Sequence, residues 1–127
     1  MALEINRPDV VAEVRGAFER YEAALMDNDV ETLNELFWAS THTVRYGVRE
    51  NLYGHAAIAG YRSGVSGGAP QREAGRTVIT TFGSDFATAD REFQRQGGGP
   101  TGRQSQSWVR MREGWRIVTA HVSLLPE

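Results

Sequence analysis

Tyr21, Arg45, Ser105 and Ser107 are the side chains of this 127-residue sequence whose types and spacing could do chemistry. Tyr21 falls at three- and four-residue spacing with Val11, Val14, Phe18 and Leu25, the apolar stripe of a helix. It is either a core tyrosine with a satisfied hydroxyl or a proton donor held in place by packing. A phenol is protonated at neutral pH, so the second role asks for no perturbation. Arg45 lies in the alternating run 42–46, with Thr43 on its own side and Val44 and Tyr46 on the other. It reads either as an edge arginine in solvent or as a bidentate clamp on a carboxylate, which the planar guanidinium matches well. Ser105 and Ser107 share one face of a strand. They are either structural or neutral donors at a pocket wall. No GxSxG elbow accompanies them, so neither reads as a nucleophile. Trp38, after Leu36 and Phe37, reads as a cap on the core or as a wall of the same pocket.

Other chemistries find little support. His42, His55 and His121 show no HxH or HExxH spacing and the chain has no cysteine, so neither a metal nor a cofactor is expected. Asp90 and Glu92 share a strand face and read as facing water. With 14 basic and 16 acidic residues the net charge is -2, and no basic run suggests nucleic acid as a partner. No apolar run approaches the ~20 residues of a membrane span. The first residues, MALEINRPDVV, have neither the basic nor the apolar segment of a signal peptide, so a cytoplasmic protein without membrane attachment is expected. The length predicts one domain over 1–127, large enough to bury a real core.

The elements that must position these residues follow from periodicity and punctuation. A first helix opens at Pro8-Asp9 with Asn6 as its N-cap, and Asp27-Asn28-Asp29 breaks it. A second, short helix starts at Val30, and 42–46 is a strand. Residues 47–54 read as a connection, and 55–62 as a third helix. The stretch 63–75 is loop by its glycine and proline content. Strands follow over 76–82 and 86–96, and Gly97-Gly98-Gly99-Pro100 links them to a final hairpin over 102–123. A tight Glu113-Gly114 turn there pairs Arg112 with Trp115. One hairpin face then carries Ser105, Ser107, Val109, Met111, Val118, Ala120, Val122 and Leu124, closing the core and lining a pocket. The other carries Gln104, Gln106, Trp108, Trp115, Thr119, His121 and Ser123, an aromatic and polar outer surface suited to a second copy of the chain. Helices gathered on one face of a mostly antiparallel sheet predict an α+β cone, with a small-molecule pocket at its mouth.

The segments EINRPDVVAEV, RYEAAL, ELFW, TVRYG, ENLYG, RTVITTFGSDFATA and GRQSQSWVRM-EGWRIVTAHVS resemble the AtzH/HpxZ family of the nuclear-transport-factor-like (SnoaL-like) superfamily, over nearly the whole chain. The resemblance implies a cone-shaped curved antiparallel sheet packed with three helices, the cystatin-like α+β fold. It implies a homodimer, here expected through the outer sheet face, and a functional association with an amidase-signature hydrolase of nitrogen catabolism. One branch of the family is associated with oxalurate breakdown. The other is associated with cyanuric acid breakdown, where 1,3-dicarboxyurea is proposed to become allophanate. The tyrosine of the RYE segment and the arginine of TVRYG, which the family implicates in activity, are Tyr21 and Arg45 here. Trp38, Ser105 and Ser107 are the expected substrate-binding residues. Two readings follow: a cofactor-free enzyme acting on a small anionic carboxylated urea, or a non-catalytic pocket protein that serves a neighbouring amidase.

Overall fold

The computed structural model of the chain describes residues 2–65 and 68–126. Its elements in chain order are α1 (Pro8–Asp27), α2 (Val30–Leu36), β1 (Val44–Tyr46), β2 (Asn51–Tyr53), α3 (His55–Gly64), β3 (Arg72–Phe82), β4 (Phe86–Arg95), β5 (Gly102–Met111) and β6 (Gly114–Leu124). The six strands form one sheet in the order β2-β1-β6-β5-β4-β3. Every neighbouring pair is antiparallel except β1 with β6, which run parallel. The three helices and mostly antiparallel sheet are as expected. The sheet is mixed, however, and β2 lies within the stretch expected to be a connection. Three residues are too few for an alternation to register. Strand β3 also begins at Arg72, inside the expected loop.

Helix α1 forms because Val10, Val14, Phe18, Tyr21 and Leu25 make one buried stripe. Pro8 suits its first turn and Asp9 the positive end of its dipole. It stops at Asn28, which takes the left-handed conformation (φ 52°), and Asp29 then caps α2 by accepting from the Thr32 amide at 3.2 Å. Asn6 does not cap α1. It pairs instead with Thr81 of β3, its amide donating to the Thr81 carbonyl at 3.0 Å and its Oδ1 accepting from the Thr81 amide at 2.9 Å.

The hairpin β5–β6 departs from expectation in a way that decides what lies inside. Met111 pairs with Gly114, so the loop residues are Arg112 and Glu113, one position earlier than expected. Pairing runs through Trp108 with Ile117 and then slips, and Ser107 next faces Thr119. The bulge at Val118 lets Trp115 and Ile117 point inward on one side of it and Ala120 on the other, all three buried. Trp108 is fully buried in the same core as Phe18, Leu33 and Leu36. The expected outer face of Gln104, Gln106, Trp108 and Trp115 is therefore the inner face, and Ser105 is exposed on the outer one.

Partners account for the inversion. The Trp108 indole donates to Gln106 Oε1 at 3.1 Å, and the Trp115 indole donates to Glu13 Oε1 of α1 at 3.0 Å. Large aromatic rings with satisfied N–H groups bury more apolar area than Val109 and Met111 would. The outer face keeps Val78 (44% exposed), Phe86 (38%) and His121 in contact with water. Among the described residues, no helix is long and apolar enough to cross a membrane.

Candidate active site

The mouth of the cone holds a cavity of about 580 Å³ between the C-terminal half of α1, the 45–50 hairpin, the end of α3 and the near ends of β3 to β6. Tyr21 and Arg45 both line it. Helical periodicity turns Tyr21 inward, where it is 2% exposed and meets the Phe37 ring edge-on at 6.1 Å. Strand alternation turns Thr43 and Arg45 inward together. The Thr43 hydroxyl donates to the Trp38 carbonyl at 2.7 Å and anchors the strand. Arg45 donates through Nη1 to Glu50 Oε2 at 3.0 Å, and its guanidinium lies 5.6 Å from the centroid of the Tyr61 ring. Its Nε is buried and has no partner among the described residues.

Four more arginines line this cavity, Arg49, Arg62, Arg72 and Arg95, which the sequence did not single out, and two of them, Arg62 and Arg72, are buried or nearly so. Arg62, in the last turn of α3, is 6% exposed and lines the cavity. None of the ion pairs between described residues includes it. Burial holds its guanidinium below arginine's usual pKa. Tyr21 opposes that depression, Arg45 adds to it, and Tyr61 and Glu50 oppose it. A buried cation next to another cation is a site that favours an anion.

Arg72, at the start of β3, is held differently. Its Nη2 donates to both oxygens of Glu22 at 2.8 and 2.9 Å and to Gln104 Oε1 at 2.9 Å, over the Phe93 ring at 4.1 Å. Glu22 also accepts from Gln104 Nε2 at 2.8 Å and Arg91 Nη1 at 3.2 Å. That network buries three charges behind the cavity floor and explains why Gln104 faces inward. The only signal for Arg62 in sequence was its place at the end of a short helix before a glycine-rich loop, and such an arginine is normally solvated.

The remaining expected site residues lie elsewhere. Trp38 stacks on His42, with ring centroids 6.1 Å apart, and lines a separate groove with Asn34, His55 and Arg116. Ser105 lines a shallow groove on the outer sheet face with Arg76 and Asp90. Ser107 shares that outer face, so neither serine is a wall of the cavity. The bulge and the buried tryptophans, both invisible in the alternation, put them outside. Val122, Leu124 and Gln104 take the wall expected of the serines. Among the described residues, no cluster of three metal-ligating side chains exists. Among the described residues, the cavity lining carries Arg45, Arg49, Arg62, Arg72 and Arg95 against one carboxylate, Glu50. Its chemistry suits a small anion with more than one negative group, beside a phenol able to give a proton.

The comparisons with known proteins agree with this architecture. The AtzH-like family model matches residues 3–127. Among solved structures, a protein of unknown function from Pectobacterium atrosepticum SCRI1043 is 52% identical, with a TM-score of 0.93 over 96% of this chain and 95% of its own. A cystatin-like fold protein from Burkholderia xenovorans LB400 is 47% identical, with a TM-score of 0.94 over 98% of each chain. An NTF2-like protein of unknown function from Pseudomonas putida KT2440 shares the fold alone, at 15% identity and a TM-score of 0.81 over 95% of this chain and 90% of its own. No functionally curated protein matches the sequence.

Proposed function

The chain belongs to the AtzH-like family, and from that membership and the arginine-rich cavity we propose that it is a cofactor-free enzyme removing an N-carboxyl group from a small carboxylated urea. 1,3-Dicarboxyurea, giving allophanate, is the first candidate substrate, and an oxalurate-type intermediate is the related one. The observation that carries this reading is that Tyr21 and Arg45, on different elements and 24 positions apart, line one cavity. In the proposed step the Tyr21 hydroxyl gives its proton to the carbamate nitrogen. The C–N bond breaks, its electron pair stays on nitrogen, and carbon dioxide leaves. Solvent then reprotonates the phenolate. Arg45 and Arg62 hold the dianion, most usefully through the carboxylate that remains. Clamping the departing one would stabilise the ground state and slow the step.

Hydrolytic attack by water would need a free general base. Glu50 is the one carboxylate of the described lining, and it is engaged by Arg45. That engagement favours direct loss of carbon dioxide. The test is a turnover assay on dicarboxyurea made in situ and followed by ¹³C NMR. Allophanate should form above the spontaneous rate, and its failure to do so would leave only the reading of a pocket protein serving an amidase.

Arg45→Lys keeps the charge but loses the planar fork. It is expected to raise KM by about 10- to 100-fold, the scale of one charge-assisted hydrogen bond pair. An unchanged KM would remove Arg45 from the clamp.

The homodimer is likewise proposed through the outer sheet face, on Val78, Phe86 and His121 instead of the buried tryptophans. Sedimentation at micromolar concentration should show a dimer, and a stable monomer would end this idea.

A further inference from the structure

Glu50 lines the cavity, yet its charge is the wrong sign for holding an anion. Its position is built with some care. Tyr46 pairs with Asn51, and the Gly47 amide donates to the Glu50 carbonyl at 2.8 Å, closing the turn between β1 and β2. From that turn the Glu50 side chain folds back across Gly47 to reach Arg45 Nη1, while its Oε1 accepts from the Arg49 amide at 3.2 Å. A Cβ on residue 47 would stand 1.8 Å from Glu50 Oε2 and 2.3 Å from its carboxyl carbon. Gly47 does not have a positive φ, so what an alanine there would meet is the Glu50 carboxylate, which would have to move, and not backbone strain. The paired side chains are 10% exposed for Arg45 and 19% for Glu50, so solvent screens the contact only in part.

We infer that Glu50, through the clearance at Gly47, is a positioning residue that fixes the Arg45 guanidinium at the cavity and does so at a cost in anion affinity. This rests on the proposed function for its kinetic readout, but not for its binding readout. An arginine with four free side-chain torsions would sample many poses. A carboxylate at 3.0 Å, itself tied to the Arg49 amide, selects one of them. The same carboxylate lowers the positive potential that Arg45 and Arg62 offer to an incoming anion. A residue that merely supported the fold would have only the first effect, and through stability.

The test uses glutarate as the probe, because its five-atom backbone matches that of dicarboxyurea and it cannot react. Titration of Glu50→Gln should show glutarate bound about five- to tenfold tighter than by the parent protein, the scale of removing one partly exposed opposing charge. In the turnover assay the same variant should show a lower KM together with a kcat reduced by about 10- to 100-fold, as expected when a clamp is misplaced. Gly47→Ala keeps the carboxylate but evicts it, and should lower kcat to a similar degree. The double variant should lose no more than Glu50→Gln alone, because both act on one contact. Unchanged glutarate affinity and unchanged kcat in Glu50→Gln would overturn the inference, and so would additive losses in the double variant. A parent protein that binds glutarate but leaves dicarboxyurea intact would sink the proposed function instead, and the affinity shift would still decide the role of Glu50.

Discussion

Tyr21→Phe is expected to lower turnover of dicarboxyurea by about 10²- to 10⁴-fold, the range of a positioned proton donor. The substitution removes one oxygen and nothing else. Tyr21 sits in the middle of the α1 stripe with its ring against Phe37, and a phenylalanine fills the same space. The fold should therefore persist, with a stability change of about 1 kcal/mol or less. Glutarate binding should change little, because the arginines that hold the anion are untouched. This combination separates chemistry from binding: kcat falls while the probe still binds. Normal turnover in Tyr21→Phe would refute the acid role, and loss of glutarate binding would make Tyr21 an anchor and not an acid.

The second large effect is on stability. Glu22→Ala is expected to cost about 3–5 kcal/mol, because it leaves buried Arg72 without its counter-charge and Arg91 with the half-exposed Glu19 at 3.3 Å in its place. Arg72 and Arg91 both donate to Glu22, and the three side chains are 8–11% exposed. Gln104 loses its acceptor at the same time. The melting temperature should fall by roughly 10–20 °C for a chain of this size, measured by calorimetry. Glu22→Gln keeps the shape and one acceptor and should lie between the two. A loss under about 1 kcal/mol for Glu22→Ala would mean that solvent screens the network, contrary to its burial.

The inward placement of Tyr21 was legible because the helix period of 3.6 puts it on the apolar stripe, whereas the strand period of 2 placed Arg45 only on one side with Thr43, and the resemblance to the AtzH/HpxZ family is what picked out both as candidate site residues. What a period cannot say is which of two strand faces looks inward. For β5 the apolar Val109 and Met111 argued for one face, while Trp108 and the amides of Gln104 and Gln106 occupy the core on the other. The amides are tolerated there because the Trp108 indole satisfies Gln106 from the same strand, while Glu22 of α1 and Arg72 of β3, far away in sequence, satisfy Gln104. Ser105 and Ser107 went to the wrong wall for this reason. The slip at Val118 compounded it, since one extra residue reverses every side chain beyond it. Arg62 was missed on a different ground. Apart from the adjacent Tyr61, its environment is made by Tyr21, Arg45 and Glu50, and no spacing within α3 records them. The three helices and the long strands were readable from composition and punctuation. The short β2 and the parallel β1–β6 contact were not, because nothing local encodes a pairing partner.

That parallel contact has a consequence for how the protein comes into being. Val44 pairs with Thr119 and Arg45 with Ala120, 75 positions later in the chain. During synthesis the strand carrying Arg45 leaves the ribosome early, and its only partner until late is the three-residue β2. A two-stranded ribbon of that size does not hold its shape in water. The wall supplied by Val122 and Leu124 is made later still. Closing so long a loop costs entropy before any contact returns it. The nascent chain can thus have α1 and the β3 and β4 segments synthesised while having no anion pocket at all.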